Sequence, residues 1–363
     1  MGKVEPRVRD EYTLIRRITR AVPAQIGSVR SGYGLAFGIG DDAAILNSPS
    51  CEPWVISCDA FVEGVHFLAD IHPADSVGYK ALVRATSDLV AMGALPRLFL
   101  LTLMLPEGRC GGWLNQFLMG MGKAAKYLDM RLAGGDTTTG TTVSISIVVL
   151  GHMRRKKSPR TRSARRGLRQ TGGPLTRSGG RAGDQIYVSG TLGRAQVGLE
   201  LVRQMKKQIE NPKIGARLRD ALQAHLYPRL RVELGSWLAS NGVASAMMDL
   251  SDGLSTDLAR LCRAGCVGAK LWAEKIPTIS LPRETLRRLP SRFDPLQAAL
   301  NGGDDYELLF TVPKRNQRQL RGAPDSSHLT CVGELTSNHK ILLVGADGLA
   351  KPLRSGGWDP FRK

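Results

Sequence analysis

Gly38-Ile39-Gly40-Asp41-Asp42-Ala43-Ala44 sets two adjacent carboxylates behind two glycines. No Lys or Arg occurs from Leu35 through Asp70 to neutralise them. Adjacent like charges cost free energy unless they are solvated or share a cation, and glycine lets the backbone approach a ligand closely. The theme returns along the chain: Asp59 after an apolar run, then Gly134-Gly135-Asp136, Asp249-Leu250-Ser251-Asp252-Gly253 and Gly302-Gly303-Asp304-Asp305. Bare carboxylates repel a phosphate, whereas carboxylates carrying Mg²⁺ attract one. The expectation is a cage of aspartates that binds several divalent ions and, through them, a nucleotide. Any single Gly-Asp pair also reads as an ordinary turn or cap. The set says more, because Asp42, Asp59, Asp136, Asp249 and Asp252 all fall at expected strand ends or strand-to-helix turns, where side chains converge on ligands.

Outward from the cage, periodicity supplies the elements. Trp54 to Asp59 reads as an apolar strand delivering Asp59 at its end. Pro73 to Met92 reads as a helix, with Leu82, Ala85, Leu89 and Met92 at three-four spacing. Lys80, Arg84 and Asp88 fall four apart on another face, which on spacing alone makes Asp88 a surface ion-pair partner of Arg84. Helices are also expected over Asp10 to Ile26 and Trp113 to Leu128, the latter with Leu114, Phe117, Leu118 and Met121 inward and its methionines in the core. Strands are expected over Arg97 to Leu105 and Thr142 to Leu150. In the second half, strands over Asp184 to Ser189, Ala244 to Leu250 and Tyr306 to Val312 alternate with helices over Arg194 to Met205, Arg217 to Leu226 and Arg229 to Ser240. A further helix after Gly253 turns Leu254, Leu258, Leu261 and Cys262 inward. Strands and helices mixed in this way indicate an α+β protein.

A chain of 363 residues accommodates two domains. Its net charge of +19 invites a nucleic-acid partner. Nine of the positive charges, however, lie in the acid-free tract Arg154 to Arg169, which reads as a solvated loop near a domain boundary. Aromatic residues make up 6% of the chain, and no base-stacking motif adjoins the tract, so nucleic acid is at most a non-specific side partner. The six cysteines form no CxxC and read as reduced thiols of a cytoplasmic protein. The N-terminus lacks an apolar h-region, and the run Leu98 to Leu105 is too short to span a bilayer. P-loop, dinucleotide, HExxH and GxSxG signatures are absent, so neither a covalent nucleophile nor a general base is suggested.

The order GIGDDAAIL (38–46), CDAFVEGVHF (58–67), GYKALVRATSDLVAMGA (78–94), GGDTTTG (134–140), PLTRSGGRAGD (174–184), MMDLSDGLSTDLARL (247–261) and NGGDDYELLFTV (301–312) resembles the thiamine-monophosphate kinase family, within the aminoimidazole ribonucleotide synthetase (PurM-like) superfamily. The resemblance implies ATP-dependent phosphorylation of thiamine phosphate to thiamine diphosphate. It implies a PurM-like two-domain α+β fold: an N-terminal α+β domain over 1–153 whose strands join a homodimer partner in a barrel, a basic insertion over 154–173, and a C-terminal α/β domain over 174–363. Carried over by motif, Asp42, Ser57, Cys58, Asp59, Asp88, Asp136, Asp249 and Asp252 resemble the family's Mg²⁺ positions, which moves Asp88 from the surface into the cage. Gly135, Asp136, Arg177 and Ser251 resemble ATP contacts, and His66, Asp304 and Trp358 thiamine phosphate contacts. Two positions depart from the family pattern: Cys58 stands where Thr is usual, and a thiol is a poor Mg²⁺ ligand; Asp304 stands for the usual Glu. Two other readings remain at this point: an ATP-using superfamily member acting on a different small anion, and a nucleic-acid-binding protein acting through its basic tract.

Overall fold

The computed structural model describes residues 13–15, 34–38, 40–47, 53–154, 173–205, 216–281, 289 and 293–361. Thr13, Leu14 and Ile15 of the expected first helix are helical; the rest of that helix, and the basic tract beyond Arg154, lie outside the described residues.

Six strands form the first sheet: β1 (Gly34–Phe37), β2 (Ala44–Asn47), β3 (Trp54–Val62), β4 (Ala94–Leu105), β5 (Arg131–Thr139) and β6 (Ser144–Met153). Their order is β1-β2-β3-β6-β4-β5, and only β4 and β5 run parallel. Alternation along β6 puts Ile145, Ile147 and Val149 into the core. On that face lies α1 (Ala74–Ala91), packed against β3, β4 and β6, with α2 (Gly112–Tyr127) packed on α1. A Cβ added at Gly120 would stand 1.8 Å from the Asp75 carbonyl oxygen, and one at Gly78 2.0 Å from that of Phe117. The two helix backbones therefore touch, which only glycine permits. This contact also explains why Leu118 and Met119 are exposed instead of joining Phe117 and Met121 in the core: the glycine turns α2 so that Gly120 faces α1.

Two aspartates expected at strand ends lie within strands. β3 continues to Val62, pairing Asp59 with Ile147, and β5 carries Gly134-Gly135-Asp136 in its middle, opposite Leu100, Leu101 and Thr102. Pairing with neighbouring strands outweighs the local turn preference of Gly and Asp.

The second sheet comprises β7 (Gln185–Ser189), β8 (Ala246–Leu250), β9 (Gly268–Trp272), β10 (Glu307–Val312), β11 (Leu329–Thr336), β12 (Ile341–Val344) and β13 (Ala350–Pro352). Its order is β13-β12-β9-β11-β7-β10-β8, with β9 and β12 the one parallel pair among the described strands. Around it stand α3 (Arg194–Met205), α4 (Ala216–Leu226), α5 (Val232–Asn241), α6 (Leu254–Gly265) and α7 (Pro295–Asn301). As expected, α6 buries Leu254, Leu258, Leu261 and Cys262. One apolar cluster runs from Val55, Leu82 and Phe117 in the first half to Leu238, Met247 and Phe310 in the second. Burying Leu82, Val83 and Leu89 contributes about 1.5–3 kcal/mol each, enough to carry polar neighbours on α1 inside with them. Lys80, Thr86 and Ser87 are accordingly buried too, and the stripe that spacing assigned to solvent faces the second half of the molecule.

Lys80 heads a buried polar chain. Its Nζ donates to Asp304 Oδ2 at 2.8 Å and lies 3.3 Å from His225 Nδ1. His225 Nε2 lies 3.1 Å from His72 Nε2, and His72 Nδ1 is 3.1 Å from the Leu68 carbonyl. One tautomer set runs the chain in a single direction, with Lys80 donating to His225 Nδ1, His225 Nε2–H to His72 Nε2, and His72 Nδ1–H to Leu68 O; in the opposite tautomer His72 Nδ1 accepts instead from the Leu68 N–H, also at 3.1 Å. Burial, reinforced by Lys80, holds both imidazoles below their ordinary pKa.

Two outcomes are expected. Gly120→Ala loses about 1–3 kcal/mol or more in urea unfolding, because the added methyl meets backbone. His225→Leu lowers stability by about 1–3 kcal/mol at neutral pH. A histidine whose folded pKa lies below its unfolded value of about 6.5 contributes stability above that pH and loses it as the pH falls toward the folded value. The difference between wild type and His225→Leu should therefore shrink between about pH 7.5 and about pH 5.5; a constant difference would contradict the neutral pair.

Candidate active site

Three carboxylates meet where the two halves join. Asp42 comes from the turn before β2, Asp88 from the last turn of α1, and Asp249 from the fully buried β8, and an oxygen of each lies within 4.8 Å of the others. Partners fix their orientation. Ser57 Oγ donates to Asp88 Oδ2, Ser87 Oγ to Asp249 Oδ2 at 2.6 Å, and the Arg177 guanidinium to Asp42 Oδ1. Asp42 Oδ2 is buried with no hydrogen-bond partner among the described residues. Burial, with the neighbouring carboxylates, pushes Asp88 well above the ordinary carboxylate range and Asp249 up to about 7. Burial also raises Asp42, against the pull of Arg177. All-oxygen donors, an orphaned buried oxygen and unbalanced negative charge are what a hard divalent cation requires, so the residues present fit Mg²⁺.

Asp59 and Asp252 flank the cluster. Asp59 adds to the charge felt by Asp88, and Asp252 to that felt by Asp249. Asp252 is held by Arg260, and its turn is set by Asp257, which is fully buried and accepts from the backbone N–H of Ser251 and Asp252 at 3.1 and 3.0 Å. Cys58 and Asp136 are not brought in. Strand alternation points Cys58 away from Ser57 and Asp59, and its Sγ lies 3.6 Å from Ser146 Oγ on the opposite face. Register through Ala60, Ser146 and Thr102 puts Asp136 on that same face, at the exposed edge strand that also holds Gly135.

Beside the cage opens a cavity of about 410 Å³, whose lining includes His66, Arg84, Ser251, Asp252, Asp304 and Trp358. His66 Nδ1 accepts from the Val62 N–H at 3.0 Å, and its ring stands 5.4 Å from that of Trp358. Burial lowers the His66 pKa to about 4, so it is neutral. The segment bearing Trp358 is tied to the start of α6: Gly356 N–H donates to Ser255 Oγ, Gly357 N–H to Thr256 Oγ1, and Trp358 N–H to the Asp252 carbonyl. Burial works against ionisation of Asp304, yet the Lys80 ammonium, with Arg84, outweighs it and holds this carboxylate below the usual range. Tyr306 Oη donates to its other oxygen at 2.7 Å. Asp305 points elsewhere, capping the start of α3 through the N–H groups of Gly193 and Ala195.

Sequence reasoning passed over Ser87, Asp257 and Arg260, and read Lys80 only as part of a polar stripe on α1. Ser87 adjoins Asp88 and Asp257 lies five residues past Asp252, but what each does depends on contacts across the fold.

The chain matches the family models of the AIR synthase related protein, N-terminal domain over residues 40–153 and C-terminal domain over residues 181–344. Thiamine-monophosphate kinase of Escherichia coli (strain K12) is 37% identical over 357 residues, covering 97% of this chain and 98% of the relative. The Aquifex aeolicus enzyme of the same name is 32% identical over 323 residues, covering 89% and 92%. Among solved structures, AaThiL complexed with AMPPCP and TMP superposes with a TM-score of 0.79 at 27% identity, covering 98% of this chain and 99% of that one. Thiamine-monophosphate kinase from Stenotrophomonas maltophilia K279a gives a TM-score of 0.68 at 34% identity, covering 94% and 98%. The chain belongs to the thiamine-monophosphate kinase family, built on the two-domain AIR synthase related fold.

Proposed function

We propose that this chain transfers the γ-phosphoryl group of ATP to thiamine phosphate, giving ADP and thiamine diphosphate. The observation that carries the reading is a three-carboxylate cage opening beside a cavity that offers an aromatic face. Asp42, Asp88 and Asp249 would hold Mg²⁺, with Asp59, Asp252 and Ser57 at its margin and Cys58 limited to its backbone carbonyl. The bound cations would relieve the repulsion between two anionic reactants.

The protein's own groups do the rest. The acceptor is a phosphate monoester, largely dianionic near neutral pH because its second pKa is about 6. It needs no general base, which agrees with a neutral His66 and the absence of a nucleophile motif. Trp358 offers a π face to the cationic thiazolium ring, His66 packs beside it, and Asp304 supplies an anion held ready by Lys80. Arg177 and Ser251 stand where a nucleotide held by the cage would meet them. Transfer is direct and in line, without a phosphoenzyme.

The working unit proposed is a cytoplasmic homodimer of 1–153 and 174–363 domains joined by the 154–173 insertion. Its support is the sheet face turned away from α1, where Leu100 and Met104 are each 37% exposed. Val148, Cys58 and Asp136 share that face by register, so the proposed nucleotide contact Asp136, next to Gly135 on the edge strand, belongs to the surface that a second copy would cover.

Purified protein with ATP, Mg²⁺ and thiamine phosphate should yield ADP and thiamine diphosphate, and EDTA should abolish turnover. Asp252→Asn should lower kcat by at least about 100-fold with its circular dichroism unchanged. Full activity in that variant removes Asp252 from the site. In sedimentation, wild type should run as two chains and Met104→Glu as one; a monomeric wild type would rule out the dimer.

A further inference from the structure

We propose that Arg84 grips the phosphate group of the thiamine phosphate acceptor; the inference deepens the kinase reading and rests on it. Arg84 belongs to the stripe Lys80, Arg84, Asp88 on α1, of which Asp88 enters the cage and Lys80 pins Asp304. Arg84 lies one turn before Asp88, about 6 Å along the helix axis, and lines the cavity that holds His66, Asp304 and Trp358. It therefore stands at the junction of cage and cavity, where an acceptor phosphate must lie to meet a nucleotide held by the cage.

Its bonding leaves it free to act there. Arg84 Nε donates to Asp59 Oδ2 at 2.9 Å, which fixes the plane of the guanidinium. Neither Nη forms a hydrogen bond with a described residue, and the side chain retains 21% exposure. Nε accounts for one of five N–H donors, and the fork that remains matches two phosphate oxygens. The other cations near the cavity are engaged. Lys80 is bound to Asp304, and Arg203 is paired with Glu200 at 2.9 Å and 53% exposed. Arg84 is paired with Asp59 through Nε alone, so what it offers an anion is its two Nη atoms rather than an unbalanced charge. The cavity then reads a zwitterion end to end: Trp358 and Asp304 toward the thiazolium cation, Arg84 toward the phosphate.

The test is calorimetric titration of thiamine phosphate and of unphosphorylated thiamine into wild type, Arg84→Gln and Arg84→Lys, with steady-state kinetics alongside. Wild type should prefer the phosphate ester. Arg84→Gln should bind thiamine phosphate about 10–100-fold more weakly and raise its KM by a similar factor, while thiamine binding and the KM for ATP move by less than about twofold. Arg84→Lys, which keeps the charge beside Asp59 but not the fork, should fall between them and decides the matter if Arg84→Gln does not fold. Unchanged thiamine phosphate affinity in the variants overturns the assignment. So does an equal loss for thiamine, thiamine phosphate and ATP, which would make Arg84 a mere prop for Asp59. A wild type that produces no thiamine diphosphate overturns the kinase reading itself, and this inference with it.

Discussion

Three carboxylates with oxygens within 4.8 Å of one another, two of them buried and Asp88 half-buried, define this molecule. Left alone they repel, and burial together with the neighbouring carboxylates displaces Asp88 and Asp249 upward. The fold nevertheless holds them there from three separate elements, each oriented by its own partner: Arg177 on Asp42, Ser57 on Asp88, Ser87 on Asp249. An arrangement so costly without a cation and so well aimed for one couples function to the joint between the two halves. The shared core that crosses from Leu82 to Met247 keeps this joint closed.

Helix α1 transmits the constraint. Buried by the first sheet, α2 and β8, it carries cage and cavity chemistry on one stripe four residues apart: Lys80 to Asp304, Arg84 to Asp59, Asp88 into the cluster. The glycine contact with α2 fixes the rotation of this helix. A small turn about its axis would move all three groups together, so packing far from the chemistry sets the chemistry's geometry.

Much of this was legible in the sequence. Strong three-four spacing gave α1 and α6, alternation gave β6, and the ordered aspartate motifs pointed to Asp42 and Asp249, since these patterns are local. What escaped was decided by partners remote in the chain. Asp136 reads as a turn residue and lies mid-strand because β4 pairs with it; Leu118 fits an inward stripe yet is exposed because Gly120 turns the helix. Spacing placed the polar stripe of α1 in water, and only the second half of the protein, folding over it, makes that stripe internal. The resemblance placed Asp88 correctly beside Asp42 and Asp249, but it could not tell that the Cys58 side chain looks out through the opposite face.

The wall of the cavity formed by Gly356, Gly357 and Trp358 is fastened differently from everything around it. Three hydrogen bonds to the first turn of α6 and the Asp252 carbonyl hold it, and none of the three residues belongs to the apolar clusters. Detaching it would break these three bonds and the contact of Trp358 with His66 while leaving the apolar clusters whole, which ranks this wall among the cheaper local openings of the fold.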